Sequence, residues 1–248
     1  MFDFPIARWF LILACMAPLQ ACSNSYSAKP IEAWVVDAET KQPVEGVNVV
    51  AHWELSYGLE GGGSDTLTVS EAVTDKNGRF YFQGWGPKEV PKHLPSEARL
   101  KNRDPVVIIF KSGYRYLELV RERDNSTEGG RGSSTRNFFM NGQKIELSKF
   151  KGDDKEYAKN IRFLNSGVMS TLGSLLTDPC SYENIPRMII TLDKELYANK
   201  DVIRDGYAKY DYAETFYSKL ITAERNHVSL GLRSSCRPPE KFFSEYIK

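Results

Sequence analysis

Three histidines, four cysteines and a scatter of carboxylates are the raw material for chemistry in this chain of 248 residues. A zinc peptidase needs a histidine and a glutamate three residues apart, with a distant histidine to complete the metal shell. His52, His93 and His227 are followed three residues later by Leu55, Ser96 and Leu230, and no His-Glu-x-x-His occurs. No metal site and no cofactor are therefore expected. Ser148-Lys149-Phe150-Lys151 has Ser-x-x-Lys spacing, but it lacks the Ser-Asp-Asn and Lys-Thr-Gly partners that such a nucleophile requires. Gly84-Trp85-Gly86 lacks the third glycine of a dinucleotide loop, and no phosphate-binding lysine follows Gly61-Gly62-Gly63. Glu224 and His227 lie three apart in a helical stretch. That spacing could serve an acid/base pair, but more often such a pair is a solvated salt bridge near a helix end. No catalytic residue is assigned.

The cysteines speak to compartment. Arg8 precedes nine apolar residues, Trp9 to Ala17, the length of a signal-peptide core and too short to span a bilayer of about 30 Å. Leu19-Gln20-Ala21-Cys22 resembles the bacterial lipobox, in which cleavage precedes a cysteine that has received a diacylglycerol. The resemblance implies a signal peptide over residues 1–21 and a lipid anchor on Cys22. Ser23 in place of aspartate then favours the outer membrane, facing the periplasm. Cys15 leaves with the signal. Cys180 and Cys236 remain as an even pair in an oxidising compartment, which predicts a structural disulfide worth roughly 4 kcal/mol for a loop of this length.

The elements that would position any site fall into two halves. After a polar tether over residues 22–30, strand patterns cover Ile31 to Asp37, Val47 to Leu55, Thr66 to Thr74, Arg79 to Phe82, Pro105 to Phe110, Tyr114 to Val120 and Lys144 to Leu147. Asp75-Lys76-Asn77-Gly78 reads as a hairpin turn. The order Val36-Asp37, Pro43-Val44-Glu45-Gly46-Val47, Val73-Thr74-Asp75 with Gly78 and Phe80, then Lys111-Ser112-Gly113-Tyr114 resembles the carboxypeptidase regulatory-like domain. That resemblance covers about residues 29–148. It implies an Ig-like, transthyretin-like β-sandwich of seven strands over residues 31–148, used as a binding or spacer module and bringing no catalytic residues. Type VI secretion lipoproteins use a similar sandwich on a lipid tether, an analogy that points to an assembly subunit.

From residue 149 the period becomes helical, so the expected fold class is α+β with a small α-helical C-terminal region. Tyr157, Ile161, Leu164, Val168, Leu172 and Leu175 mark one buried face, with Asp153 and Glu156 as a capping box. A second helix carries Ile185, Met188, Ile189, Leu192 and Leu196, and a third spans about residues 213–226. With so few helices, packing on the sheet is expected.

Binding candidates lie in the first half. They are Trp85 between two glycines, the insert with Gly61, Gly62 and Gly63, and the basic loop with Arg121, Arg123, Arg131 and Arg136. A net charge of +1 argues against a bulk nucleic-acid binder. The expected role is that of a non-catalytic envelope lipoprotein binding a protein partner. The alternatives are a periplasmic enzyme acting on envelope glycan or peptide, and a carbohydrate-binding lipoprotein.

Overall fold

The computed structural model describes residues 25–59, 62–102, 104–120, 135–171, 180–206 and 236–246. Within them the chain is α+β: eleven strands in three sheets of mostly antiparallel pairing, followed by helices. The strands are β1 (Ser25–Ala28), β2 (Ile31–Asp37), β3 (Asn48–Tyr57), β4 (Gly63–Val73), β5 (Arg79–Phe82), β6 (Trp85–Glu89), β7 (Arg99–Leu100), β8 (Val106–Phe110), β9 (Leu117–Leu119), β10 (Thr135–Arg136) and β11 (Lys144–Leu147). Their orders are β10-β1-β6, β11-β2-β5 and β4-β3-β8-β9, with β7 paired to β3. Each of the seven segments read as strands from the sequence overlaps one of these strands, β3 running two residues further and β4 starting three residues earlier than read.

Alternation along the strands builds two cores from one sheet. Val49, Ala51, Trp53 and Leu55 of β3, with Val107 and Ile109 of β8, face Ile31, Ala33 and Val35 of β2, Phe80 and Phe82 of β5, and Ile145 and Leu147 of β11. The intervening Val50, Ile108 and Phe110 face the other way, toward the helices. A sheet covered on both faces has no polar side to alternate with, so Val106 to Phe110 reads as an unbroken apolar run and every residue in it is buried.

The helices are α1 (Asp154–Thr171), α2 (Pro186–Ala198) and α3 (Lys200–Gly206), with a 3-10 turn at Ser181–Asn184 and a short terminal helix at Pro239–Phe243. Ala158, Ile161, Leu164 and Val168 of α1 meet Met188, Ile189 and Leu192 of α2 over the Val50, Val69, Ile108 and Phe110 surface. The expected capping box opens α1: Asp153 Oδ1 accepts the Glu156 N–H at 2.8 Å, and Glu156 Oε2 accepts the Asp153 N–H at 3.2 Å. Pro186 takes the first turn of α2, where its missing N–H costs nothing.

Cys180 and Cys236 form a disulfide with Cα atoms 5.2 Å apart. It ties the 3-10 turn to the terminal helix, where Tyr182, Phe242 and Phe243 pack ring against ring. Two features differ from expectation. The segment read as a tether carries β1, because Tyr26 and Ala28 alternate inward and are buried beside β6. The helices α3 and Pro239–Phe243 are additional to those read from periodicity, being too short to show one. The third helix expected at residues 213–226 lies outside the described residues. Among the described residues no helix is long and apolar enough to cross a membrane.

Candidate functional site

A shallow cleft opens between the β9 edge and α1. Strand β9 ends its sheet: it pairs with β8, Ile108 opposite Glu118, and no strand pairs with its other side among the described residues. Among the described residues, backbone hydrogen bonds meet this line before β9 begins. There Lys149 bridges Tyr114, Ser148 accepts the Arg115 N–H at 3.0 Å, and Gly113 accepts the Phe150 N–H at 2.9 Å. Helix α1 then starts and crosses above. Glu156, Lys159, Asn160 and Phe163 recur along it at helical spacing, so they share one flank of the helix.

That flank, with Arg115, Tyr116 and Glu118 from the sheet and Phe150 and Lys151 from the connection, encloses about 550 Å³. Arg115 lies 5.9 Å from the Phe150 ring centroid, and Lys159 lies 5.9 Å from that of Phe163. Phe163 is 54% exposed although it sits on a packed helix. Asn160 is 8% exposed, and its Nδ2 has no hydrogen-bond partner among the described residues. Lys151 is ion-paired with Glu39, so it is not held against Ser148 in the manner of a Ser-x-x-Lys nucleophile. One rigid joint holds the walls. The Tyr157 hydroxyl accepts the Gly113 N–H at 3.1 Å and donates to Glu195 of α2 at 3.0 Å. Burial, reinforced by the Glu195 carboxylate, pushes the Tyr157 phenol up to about 12.

Two further ionisable groups lie between sheet and helices, Glu71 half-buried and His52 buried. Glu71 of β4 accepts the N–H groups of Arg187 at 3.0 Å and Met188 at 2.6 Å, capping α2 from another element. Burial nevertheless pushes its carboxyl up to about 7, against the pull of those two donors. His52 is 4% exposed, with Nδ1 3.5 Å from the Thr171 hydroxyl and Nε2 unpaired among the described residues. Burial, with Lys101 nearby, lowers its imidazole to about 4. His93 lies 3.5 Å from Asp65, and among the described residues no three His, Cys, Asp or Glu side chains cluster to hold a metal.

The candidates named from the sequence are scattered. Cys22, Gly61, Arg121, Arg123 and Arg131 lie outside the described residues, as do Glu224 and His227. Gly62 and Gly63 sit at the β3–β4 hairpin end, where a Cβ on Gly63 would fall 2.3 Å from the Tyr57 ring. Trp85 and Arg136 occupy strands on either side of β1, both in register with Ala28. Trp85 is half-buried, edge-on to Trp53 at 5.1 Å with Lys88 at 5.4 Å over its ring, so its indole is packed rather than presented. Gly62, Gly63 and Trp85 are not among the residues that line the cleft. None of its residues was read from the sequence as a binding candidate, because most are ordinary polar positions beside an apolar stripe. The one local signal was Phe163, an aromatic off the buried face of α1.

No family model matches the chain, and the comparison with curated proteins finds no match either. Among solved structures, the chain is similar to a 3-chlorocatechol 1,2-dioxygenase from Rhodococcus opacus at 20% identity, covering 54% of this chain and 64% of that one, with a TM-score of 0.30. It is also similar to a 9R-lipoxygenase from Cyanothece at 15% identity, covering 77% of this chain and 30% of that one, with a TM-score of 0.23. The chain thus spans less than two thirds of either protein.

Proposed function

We propose that this chain is a lipid-anchored envelope protein whose work is non-catalytic binding of a protein partner. In this reading Cys22 carries the lipid, and the anchor lies in the outer membrane with the folded part facing the periplasm. The strands β2, β3, β4, β5, β8, β9 and β11 are read as a seven-stranded, transthyretin-like sandwich of the carboxypeptidase regulatory-like kind. The observation that carries the binding role is the cleft beside β9. Open sheet edges are templates for a partner strand, and aromatic rings with arginine beside them are the residues that anchor interfaces. Phe150, Tyr116, Phe163 and Arg115 meet there on a rigid frame. The Cys180–Cys236 bond suits an oxidising compartment.

Photo-crosslinking in cells tests the role. A photoreactive residue at Phe163 is expected to give a discrete protein adduct. The same residue at Tyr81, exposed on the far sheet, is expected to give none. Equal adducts at both positions, or none at Phe163, would overturn the proposal.

A further inference from the structure

We infer that the tip of the β3–β4 hairpin is a second membrane contact, resting on the bilayer that holds the lipid of Cys22. The inference rests on the anchor proposed above. Two strand ladders set the geometry. Traced backward, β2 runs from Asp37 to Ile31, and beyond Lys29-Pro30 the chain continues as β1 to Ser25. Strands β5 and β6 follow it antiparallel, with Phe82 opposite Ile31 and Glu89 opposite Ser25. In the other ladder β3 runs from Asn48 to Tyr57 and on to the hairpin tip. Asp37 and Asn48 share one end of the molecule. Phe110 pairs with Asn48, and Tyr114, just beyond Phe110, donates its hydroxyl to Asp37 at 3.3 Å. The ladders also stay side by side farther on. Trp85 of β6 meets Trp53 of β3 at 5.1 Å, and Lys88 donates to Thr68, the residue opposite Trp53, at 2.7 Å. Ser25 and the hairpin tip therefore lie at the same end, opposite Asp37.

Cys22 precedes Ser25 by three residues, which span at most about 10 Å. A lipid on Cys22 thus holds that end of the fold within about 10 Å of the bilayer surface. Leu59 at the tip is 96% exposed, whereas the next most exposed large hydrophobic residue among those described, Tyr197, is 62% exposed. The Gly62 N–H donates to the Leu59 carbonyl at 3.2 Å, which closes the tip, and the Tyr57 ring lies across Gly63 behind it. A leucine backed by a tyrosine suits the headgroup–acyl boundary, with the apolar end inward and the hydroxyl toward water. Nearby charges offset one another: Asp65 has His93 at 3.5 Å, and Glu54 pairs with Lys101 at 3.0 Å. The contact is therefore apolar and requires no anionic lipid. It also orients the cleft. Glu118 pairs with Ile108 and Ile108 with Val50, nine residues before Leu59, so the cleft stands about 30 Å from the tip and away from the bilayer.

Site-specific fluorescence tests this on the full lipidated chain in vesicles of phosphatidylethanolamine and phosphatidylcholine. With Cys22 acylated and Cys180 joined to Cys236, a cysteine in place of Leu59 alone takes a thiol-reactive, environment-sensitive dye. Leu59→Cys changes an exposed side chain and leaves the core untouched. Thr40→Cys, on the exposed turn after Asp37, reports the opposite end. Doxyl-labelled lipid should quench the dye at 59 about threefold and the dye at 40 by less than about 1.2-fold. Equal quenching at both positions, or none at 59, would overturn the tip contact. Mass spectrometry of the N-terminal peptide from the same sample reports the lipid on Cys22. If the lipid is present and the dye at 59 is unquenched, the anchor stands and the inference falls. If the lipid is absent, both fall.

Discussion

Replacing Glu71 by glutamine should turn a nearly flat pH–stability profile into a rising one. His52 and Glu71 both face the helices, and burial shifts them in opposite senses. The unfolded His52 takes a proton at its ordinary value of 6.5, whereas the folded one, lowered to about 4, stays neutral. Between those values the unfolded state holds the extra proton, so stability rises with pH. Glu71 does the reverse. Unfolded, it releases its proton at 4.5; folded, it keeps it up to about 7. Through that window the folded state holds the extra proton, so stability falls as pH rises. A full proton of difference changes stability by about 1.4 kcal/mol per pH unit. The two windows overlap from pH 4.5 to 6.5, and there the slopes largely cancel. Glutamine keeps one acceptor oxygen for the α2 N–H groups, loses the other at a cost that does not vary with pH, and removes the proton, leaving the His52 slope alone. Urea unfolding followed by tryptophan fluorescence, at half-unit intervals from pH 4.5 to 7, reads the difference directly. Glu71→Gln should gain about 1 kcal/mol per pH unit relative to wild type near pH 5.5. His52→Gln should show the mirror image, falling with pH. Parallel curves for wild type and Glu71→Gln across the overlap would refute the reasoning, because they would mean that Glu71 is ionised in the folded protein.

Other perturbations test other links. Cys180→Ser with Cys236→Ser should lower stability by about 4 kcal/mol and free the terminal helix, seen as a drop in the urea midpoint and new protease cleavage near Phe242. Gly78 has φ +71°, and a Cβ there would fall 2.3 Å from the Val35 carbonyl oxygen, so Gly78→Ala should cost more than about 2 kcal/mol in the same assay. Cys22→Ala should abolish labelled palmitate incorporation and release the protein from membranes; retention of both would remove the anchor from the proposal.

The sequence carried most of the sheet but little of the cleft. Strands β2, β3, β4, β5, β8, β9 and β11 were visible because each combines β-branched or aromatic residues with a turn signal at its end. Strands β1, β6, β7 and β10 were not, since two to five residues show no period and Trp85-Gly86-Pro87-Lys88-Glu89 contains both a glycine and a proline. The apolar run Val106 to Phe110 held more information than a single-strand reading used. A strand with no polar face needs two covers, and one sandwich supplies only one, so the run implied the helical layer. Asn160 and Arg115 had no such signature. They are 45 residues apart in the chain, and only the crossing of α1 over β9 brings them to one cleft.

That crossing follows from what β11 does. It pairs in parallel with β2, placing Leu147 opposite Asp37 in one sheet. Within two residues the chain reaches the other sheet, where Lys149 bridges Tyr114, and by Asp154 it has begun α1. One short segment thus closes the first sheet, pins the start of the second sheet's edge and launches the helix that roofs the cleft. Since β11 departs for β2, its line past Arg115 is not continued, and among the described residues no strand pairs with the outer side of Leu117–Leu119. The Tyr157 hydroxyl, held between Gly113 and Glu195, fixes the first turn of the helix against the sheet connection and α2. In the proposed binding role, a partner strand would meet walls that the fold has already ordered, which lowers the entropy cost of binding.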